Sequence, residues 1–575
     1  ALIAALTVEG LNPLPVFASS LKDAVAAATI ERLFTETRPA IVLNGTGFAV
    51  STPSAGATVP VFPGCDGVVL QVIFSGSDEA QWRDGSQGLI ARDIAMNVAL
   101  PEVDGRVISR AVSFKGAARH DRATETTIVN YEPVADRITF VARLAAAWVA
   151  LKTTPAAERR IALVLANYPN RDGRLGNGVG LDTPASAVVI LSALLAAGYA
   201  VADLPADGNA LVERLSAGPT NDWRRLGERT IRETLPLGEY RAFFAGLPSD
   251  VQARVSERWG APEDDPFFVA GMPAGGEGSF ALAVVRFGSV ALGLQPARGY
   301  NIDPQASYHD PDLVPPHNYF AFYAWIRRQF GAHAVVHLGK HGNLEWLPGK
   351  AVALSERCFP EAVLGPLPNL YPFIVNDPGE GTQAKRRAQA VIIDHLTPPL
   401  TRAESYGPLR NLEQLVDEYY EASGTDPRRL KVLAEEILSL SQSIGLDREC
   451  GIAPVDGTDD ALAKLDRYLC ELKELQIRDG LHVFGVSPTG PMLADLLVAL
   501  ARVPRGSGNG GDASLLRALA ADLGLGFDPL DADLARVWEG ARPEVLVTAD
   551  PWRTAGDTVE RLEALAVKLV AGDAE

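Results

Sequence analysis

Short apolar runs of strand length alternate with helical patterns in the first part of the chain, and this alternation constrains the fold more than any other feature. A helical pattern over 19–33 is followed by three runs that read as buried strands, at 40–44, 59–62 and 68–74. Farther along, 137–152 predicts a helix and 160–167 predicts a further strand. Helix and strand patterns that alternate in this way are typical of a parallel sheet.

The length of 575 residues exceeds the size at which a single hydrophobic core keeps growing, so several domains are expected. Beyond about residue 408 the pattern is helical almost throughout. The predicted fold class is therefore multidomain α/β, with parallel-sheet layered domains followed by a largely helical C-terminal region. The expected parts are an α/β domain at 1–130, an α/β domain with a helical insertion at 131–260, the region of the candidate site at 261–405 and a mainly helical region at 406–575.

Composition narrows the class of protein. The net charge of −18 argues against binding nucleic acid, because phosphate contacts need clustered Lys and Arg. Cys65, Cys358, Cys450 and Cys470 form no CxxC pair, which suits a reducing cytoplasm and indicates neither a zinc site nor a disulfide framework. The longest apolar run, 185–201, is short for a membrane span and predicts a buried helix instead. No secretory signal pattern opens the chain, so we expect a cytoplasmic protein without a membrane anchor.

Histidines are concentrated in one region. Six of the eight lie between residues 309 and 395, where an even spread would place about one. The centre of the group is His337, His341 and Glu345, at a spacing of i, i+4 and i+8. On a helix these three side chains would share one face, but Gly339 and Gly342 interrupt the segment. We therefore expect a loop that leaves the end of a buried strand at 332–338, where α/β sheets place their ligand sites.

Imidazole and carboxylate groups together suit a divalent cation such as Co²⁺, and they equally suit proton transfer. Histidines that only bond backbone carbonyls are the alternative. We expect His333 to be a core residue of the strand with its hydrogen bonds satisfied, and His395 to have a structural role. His309 and His317 flank a proline-rich bend and would either reach the same pocket or cap the following helix. That helix is predicted from the 3.6-residue period of Tyr319, Phe322, Tyr323, Ile326 and Phe330, with Gly331 closing it.

A helix start is encoded at 376–387. Asp377 reads as the cap, Pro378 as the first residue and Glu380 as the third position of a capping box. The next turns carry Lys385, Arg386 and Arg387, which would clamp substrate carboxylates or simply form a solvated face.

The loop 167–182 follows a strand and precedes a helix, as phosphate-binding loops do, but it matches neither GxxxxGK[ST] nor GxGxxG. No Walker A motif occurs in the chain, so we do not expect it to hydrolyse ATP by itself.

These segments together resemble the large subunits of ATP-dependent chelatases of the CobN and magnesium chelatase family. The signature is His337-Leu-Gly-Lys-His-Gly-Asn-Leu-Glu345. Further matching segments, in family order along essentially the whole chain, are 100–106, 167–184, 295–300, 308–317, 337–350, 371–387, 394–399 and 552–557. The sequences of segments 173–180 and 376–387 resemble the cobalt chelatases of the family more than the magnesium chelatases. Family members are longer, and this chain opens on Ala1, so we expect a central fragment whose N-terminal domain is truncated.

The resemblance implies insertion of Co²⁺ into hydrogenobyrinic acid a,c-diamide in cobalamin biosynthesis. It also implies an AAA+ ATPase partner subunit, which uses ATP and Mg²⁺, and an integrin-like partner subunit. Glu345 then maps to the family's catalytic glutamate, with His341 beside it. We predict His337, His341, His309 and His317 as metal ligands, and Lys340, Lys385, Arg386 and Arg387 as anchors of the tetrapyrrole. The alternatives are a magnesium chelatase large subunit acting on protoporphyrin IX, a non-catalytic tetrapyrrole-binding protein, and a metal-dependent hydrolase, which the absence of HExxH disfavours.

Overall fold

The computed structural model falls into two compact units, one formed by residues 1–395 with 483–485 and the other by 396–482 with 486–575. The residues that the structure describes are 1–51, 62, 64–116, 119–167, 175–176, 181–272, 276–299, 312–339, 342–372, 378–394, 411–412, 415–416, 418–419, 427–443, 446, 450, 452, 457–458, 461–462, 464–465 and 482–572.

Strands and helices alternate through the first unit. The strands are β1 Ile41–Asn44, β2 Val68–Ser75, β3 Val107–Lys115, β4 Arg119–Asp121, β5 Thr126–Ile128, β6 Tyr131–Pro133, β7 Ile161–Leu165, β8 Glu233–Pro236, β9 Phe268–Val269, β10 Ser279–Leu282, β11 Val284–Phe287, β12 Val290–Leu294, β13 Ala334–Leu338, β14 Asn369–Pro372 and β15 Ala390–Ile393. The α-helices of both units are Leu2–Val8, Ala24–Thr37, Glu79–Asp84, Ala91–Ile94, Leu100–Val103, Ala135–Thr153, Thr183–Ala196, Gly208–Ser216, Leu237–Phe244, Ser249–Trp259, His317–Ala324, Phe359–Leu364, Pro378–Arg387, Pro427–Ser443, Pro491–Arg502, Leu515–Asp522 and Ala555–Ala571.

The central sheet has the order β11-β12-β7-β13-β14-β15. β12, β7, β13, β14 and β15 run parallel, and β11 is antiparallel to β12. Taken in chain order, the parallel strands form a doubly wound 2-1-3-4-5 arrangement. The order reverses around β7, so the loops that follow β7 and β13 leave the sheet side by side at the switch point.

Helices cover both faces of this sheet. Alternate residues of β7 and β13, such as Val164 and Val335, pack on one side against the aromatic helix His317–Ala324. On the other side, Leu163 and Leu338 pack with the helices Thr183–Ala196 and Gly208–Ser216. Because both of its faces are buried, β7 is continuously apolar, as the sequence predicted for this strand.

A second sheet, of order β1-β2-β3-β6, precedes the central one in the chain. β1, β2 and β3 are parallel, and β6 is antiparallel to β3. The strands predicted at 40–44 and 68–74 are confirmed, whereas 59–62 lies outside the described residues except for Phe62. The helix predicted at 19–33 begins later, at Ala24, because the Asp23 side chain accepts a hydrogen bond from the Ala26 N–H at 2.8 Å and caps it there.

The described residues of the first unit also form two smaller sheets, the antiparallel sheet β8-β10-β9 and the β4–β5 pair. The expected boundary at residue 260 runs through the central sheet, since β7 precedes it and β13 follows it. The helix predicted from Tyr319 to Phe330 is present as His317–Ala324 continued by a π-helical turn, Trp325–Gln329.

The described part of the second unit is mainly helical, as predicted. Pro491–Arg502, Leu515–Asp522 and Ala555–Ala571 share an apolar core. The last of these helices begins with a capping box, in which Thr554 accepts from the Asp557 N–H and Asp557 accepts from the Thr554 N–H. Within the described segments of both units, no helix combines the length and the apolarity that crossing a bilayer requires.

Candidate functional site

Polar residues follow the carboxyl ends of three neighbouring strands of the central sheet. Gln295 follows β12, Asn167 lies two residues beyond β7, and the segment to Glu345 follows β13. All three side chains are buried. The switch point of the sheet therefore carries a buried polar cluster, at the place where such sheets bind ligands.

Gly339 turns the chain out of β13. Its φ is +132°, and a Cβ at this position would stand 2.6 Å from the Ala166 Cβ on the neighbouring strand-end loop. Only glycine fits that approach. The chain then forms a short 3₁₀ turn, Leu344–Trp346, which places Glu345 in the interior with 1% of its surface exposed. The predicted strand-end loop is confirmed, and the alternative of a continuous helix with three groups on one face is wrong.

The Glu345 carboxylate has a defined partner. The Tyr371 hydroxyl donates to Oε1 of Glu345 at 2.9 Å, and the Gly342 N–H donates to the same tyrosine oxygen. Tyr371 is itself buried at the end of β14, next to β13. A buried carboxylate held by a hydrogen bond is suited to accepting a proton from a bound substrate.

Arg387 holds the Leu344–Trp346 turn through hydrogen bonds to backbone carbonyls. Its Nε donates to the Lys350 carbonyl at 2.9 Å and its Nη2 to the Leu347 carbonyl at 2.7 Å, while Nη1 donates to the carbonyl of Glu345. The predicted role of Arg387 as a substrate anchor is therefore corrected. Its guanidinium is buried and donates to backbone carbonyls, so it holds the turn that carries Glu345.

The two other predicted cations of this helix face a carboxylate of the protein. Arg386 Nη2 donates to Glu102 Oε2 at 2.8 Å, and Lys385 Nζ lies 3.8 Å from Glu102 Oε1. Both side chains are partly exposed. Anchoring of a substrate by Lys385 and Arg386 stays a prediction, and a substrate carboxylate would compete with Glu102 for them.

His337 lies inside β13 with both ring nitrogens hydrogen-bonded. Nδ1 lies 2.8 Å from Asn369 Oδ1, and Nε2 lies 2.9 Å from the Tyr323 hydroxyl. Asn369 donates through its amide nitrogen to the Ala388 carbonyl, which leaves its oxygen as the acceptor. His337 therefore carries its proton on Nδ1 and accepts from Tyr323 on Nε2. Burial lowers the pKa of His337 to about 4, so the ring is neutral at neutral pH.

A further network of hydrogen bonds connects the Glu345 turn to the aromatic helix His317–Ala324. Gln295 donates to the Tyr323 hydroxyl at 3.0 Å and accepts from the Asn343 N–H at 2.9 Å. The Tyr319 hydroxyl donates to Asn343 Oδ1 at 2.6 Å. The position of the Glu345 turn is therefore fixed from the helix as well as from the sheet.

His317 lies apart from this cluster. Its Nδ1 is 2.6 Å from the Tyr240 hydroxyl and its Nε2 is 3.1 Å from the Gly260 carbonyl. It begins the helix His317–Ala324 but makes no side-chain cap. Neither expected role of His317 matches this geometry, because both ring nitrogens have partners, Tyr240 and the Gly260 carbonyl, outside the cluster.

The predicted metal ligands are therefore not brought together among the described residues, where no group of three or more His, Cys, Asp or Glu side chains could hold an ion. His337 and His317 give both nitrogens to protein partners. His309, Lys340, His341 and His395 lie outside the described residues. His333 accepts from the Arg160 N–H at 2.9 Å, so it is hydrogen-bonded as expected, but it precedes β13 and is only partly buried rather than a core residue of the strand.

Sequence reasoning missed Tyr371, Gln295 and Asn369 as members of the site. Gln295 follows the carboxyl end of β12 and Tyr371 lies near the carboxyl end of β14, and that position in a parallel sheet is the signal that identifies them. Asn369 begins β14, so strand position gave no signal for it. Tyr319 and Tyr323 were expected only as core residues of the helix, but their hydroxyls face the site.

Comparison with known proteins identifies relatives along the entire chain. The family model described as CobN/Magnesium Chelatase matches residues 1–574. The aerobic cobaltochelatase subunit CobN of a Sinorhizobium species is 60% identical, over all of this chain and 46% of the relative. The subunit of the same name from Pseudomonas aeruginosa is 55% identical, over 98% of this chain and 44% of the relative. A magnesium-chelatase subunit from Chlorobaculum parvum is 29% identical, over 88% of this chain and 38% of the relative.

The solved structure of the catalytic subunit of cobaltochelatase from Mycobacterium tuberculosis has a TM-score of 0.69 and 36% sequence identity to this chain, covering 99% of it and 46% of that protein. The chain spans about half the length of the relatives that it matches. With the family model matching nearly every residue, the chain belongs to the CobN/magnesium chelatase family.

Proposed function

We propose that this chain forms the metal-inserting, tetrapyrrole-binding part of an aerobic cobaltochelatase, placing Co²⁺ into hydrogenobyrinic acid a,c-diamide in cobalamin biosynthesis. Co²⁺ and the ring are both substrates. The observation that carries the proposal is the 60% identity to a CobN subunit over all of the chain, against 29% to the magnesium-chelatase subunit of Chlorobaculum parvum. The buried Glu345 cluster at the sheet's switch point supplies the chemistry.

Insertion requires that Co²⁺ lose water ligands and that a ring nitrogen lose its proton. We assign proton acceptance to Glu345. The Tyr371 hydroxyl donates to one carboxylate oxygen and Arg387 donates to the backbone carbonyl of Glu345. These hydrogen bonds fix the position of the carboxylate before the substrate binds. The neutral His337 holds the side chains of Tyr323 and Asn369 in place through its two hydrogen bonds.

Delivery of the metal is proposed for His341 together with His309, since His337 and His317 have other partners. Imidazole nitrogen is a suitable ligand for Co²⁺. Lys340, Lys385 and Arg386 remain the proposed anchors for ring carboxylates, because charge-assisted hydrogen bonds to carboxylates are strong and directional.

ATP hydrolysis is assigned to separate subunits, an AAA+ ATPase that uses Mg²⁺ and an integrin-like protein, since the sequence holds no Walker A motif. We place the complex in the cytoplasm, a reducing compartment, since Cys65 and Cys358 form no disulfide among the described residues.

The second candidate function is magnesium insertion into protoporphyrin IX. The family model includes both chelatases, which makes this a specific alternative. An assay of the complete large subunit with its ATPase partners, comparing Co²⁺ and the corrin precursor with Mg²⁺ and protoporphyrin IX, distinguishes the two. Turnover with the magnesium pair alone would contradict the proposal, and ring binding without turnover of either pair would indicate a non-catalytic binding protein.

The test of the base is Glu345→Gln in the complete large subunit. Glutamine keeps the size of the side chain but does not take up a proton at neutral pH, so we expect insertion of Co²⁺ to fall about 10²- to 10⁴-fold. Binding of the tetrapyrrole, measured by quenching of Trp fluorescence, should stay within about twofold of the parent protein, since a base acts on the barrier rather than on binding.

Glu356→Gln is the matched control, because it removes an exposed carboxylate a short distance farther along the chain. It should insert Co²⁺ at the parent rate. Insertion at the parent rate by Glu345→Gln would show that another group accepts the proton.

A further inference from the structure

We infer that Tyr371 is a positioning residue for the reaction: its hydroxyl orients the Glu345 carboxylate and sets the pH range in which that carboxylate accepts a proton. The inference rests on the proposed function of Glu345 as the base. Tyr371 contacts the carboxylate and not, in the proposed reaction, the substrate, so it acts through Glu345.

The direction of the hydrogen bonds follows from the number of protons. The phenolic oxygen of Tyr371 carries one hydrogen, and the Gly342 N–H already donates to that oxygen. The hydroxyl hydrogen is therefore directed to Glu345 Oε1, 2.9 Å away. Because an ionised carboxylate accepts and does not donate, this arrangement stabilises the charged form of Glu345.

The ring of Tyr371 has little freedom to turn away. It lies on β14, which is hydrogen-bonded to β13 on one side and β15 on the other, and only 2% of its surface is exposed. Its face stacks on His337 with 6.0 Å between ring centroids, and it packs with Ala384 and Ala390. The hydroxyl is thus held by the rigid sheet while the carboxylate it contacts is on a turn.

This connection gives Tyr371 two effects on the base. It holds the plane of the carboxylate before substrate binds, which avoids reorganisation during the reaction. It also favours the ionised form, which is the form that can take a proton, and so extends activity to lower pH.

A neighbouring tyrosine offers a matched control. Tyr319 is also fully buried, and its hydroxyl donates to Asn343 Oδ1 at 2.6 Å. Tyr319 therefore holds the same turn one residue after Gly342, through the amide of Asn343. Loss of either hydroxyl loosens the turn, but only loss of the Tyr371 hydroxyl removes the donor that Tyr371 directs to Oε1.

The test measures the pH dependence of Co²⁺ insertion by the complete large subunit with its ATPase partners. In Tyr371→Phe the carboxylate loses a hydrogen bond to its charged form, so the acid limb of the rate profile should move to higher pH by about one to two units. Binding of the tetrapyrrole should stay within about twofold by Trp quenching. In Tyr319→Phe the acid limb should keep the parent position, whatever the change in maximal rate.

An acid limb at the parent position in Tyr371→Phe would overturn the inference, as would an equal displacement in both variants, which would reflect a loosened turn. Unchanged thermal unfolding of Tyr371→Phe establishes that the variant is folded. Glu345→Gln distinguishes an error in the role of Tyr371 from an error in the assignment of the base. If Glu345→Gln is inactive and the Tyr371→Phe profile is unmoved, only the role of Tyr371 is wrong. If Glu345→Gln is fully active, the assignment of the base fails and this inference fails with it.

Discussion

Replacement of Glu361 by glutamine tests how strongly the first unit depends on a buried ion cluster. Glu361 lies on the helix Phe359–Leu364 and accepts from two buried arginines. Oε2 receives Arg110 Nε and Arg137 Nη1, each at 2.7 Å, and Oε1 receives Arg137 Nη2 at 2.7 Å. One carboxylate thereby joins β3, the helix Ala135–Thr153 and the segment that follows the Glu345 turn.

The magnitude follows from the groups that glutamine would leave without a partner. With its oxygen in the place of Oε2, glutamine could still accept from both arginines, but its amide group would face Arg137 Nη2, donor against donor, and both guanidinium groups would lose their counter-charge. A partner removed from a buried ion pair leaves a charge uncompensated, which costs about 3–5 kcal/mol. We therefore expect the free energy of unfolding of the first unit to fall by about that amount.

Urea unfolding followed by Trp emission is the assay, since six of the eight tryptophans lie in the first unit. The control is Asp136→Asn. Asp136 also pairs with Arg137, at 2.8 Å, but its side chain is 39% exposed, so its removal should cost less than about 1 kcal/mol. Equal and small losses in the two variants would refute the reasoning that burial makes the Glu361 pair indispensable.

The pH dependence of the same transition gives a second check. Burial alone would raise the pKa of Glu361, but Arg137 and Arg110 outweigh it and hold the pKa below its ordinary value of 4.5. A carboxyl whose pKa is lowered on folding adds stability above its unfolded pKa and loses it as pH falls through the folded pKa. The parent protein should therefore lose this stability below about pH 4.5, and Glu361→Gln should show a flatter curve there.

Two further changes probe the site itself. Burial lowers the pKa of His337 from 6.5 to about 4, so the stability that the neutral ring contributes is complete above pH 6.5 and is lost as pH falls towards 4. His337→Gln should therefore make thermal unfolding less sensitive to acid, and an unchanged dependence of stability on pH would contradict this prediction. Gly339→Ala places a Cβ 2.6 Å from the Ala166 Cβ at a φ of +132°, so the free energy of unfolding should fall by about 1–3 kcal/mol and the rate of Co²⁺ insertion should fall with it. Gly227→Ala is the control: nothing lies within 4 Å of the added Cβ, so insertion should stay at the parent rate.

Local patterns were enough to predict much of the fold. Apolar runs of strand length located β1, β2 and β7, and the 3.6-residue aromatic period located the helix that begins at His317. The glycines after β13 correctly indicated a turn rather than a helix around Glu345. These features depend on residues close together in the chain, and a single sequence records them directly.

The partners of the site residues were not predictable in the same way. Arg387 was expected to bind substrate, yet it bonds the Glu345 and Leu347 carbonyls, which lie 42 and 40 residues away in sequence. His337 was expected to bind metal, yet its nitrogens face Tyr323 and Asn369, 14 and 32 residues away. No local pattern distinguishes a cation that clamps a ligand from one that supports a turn.

The sequence by itself determined the α/β class, the strand-end turn that carries Glu345, and the family resemblance. The tertiary structure decided which side chains meet that carboxylate and in which direction their protons point. The physical reason lies in the order of the sheet. Strand order and register place Tyr371 beside His337 and the carboxyl ends of β7 and β13 beside each other. These relations depend on packing between segments far apart in the chain.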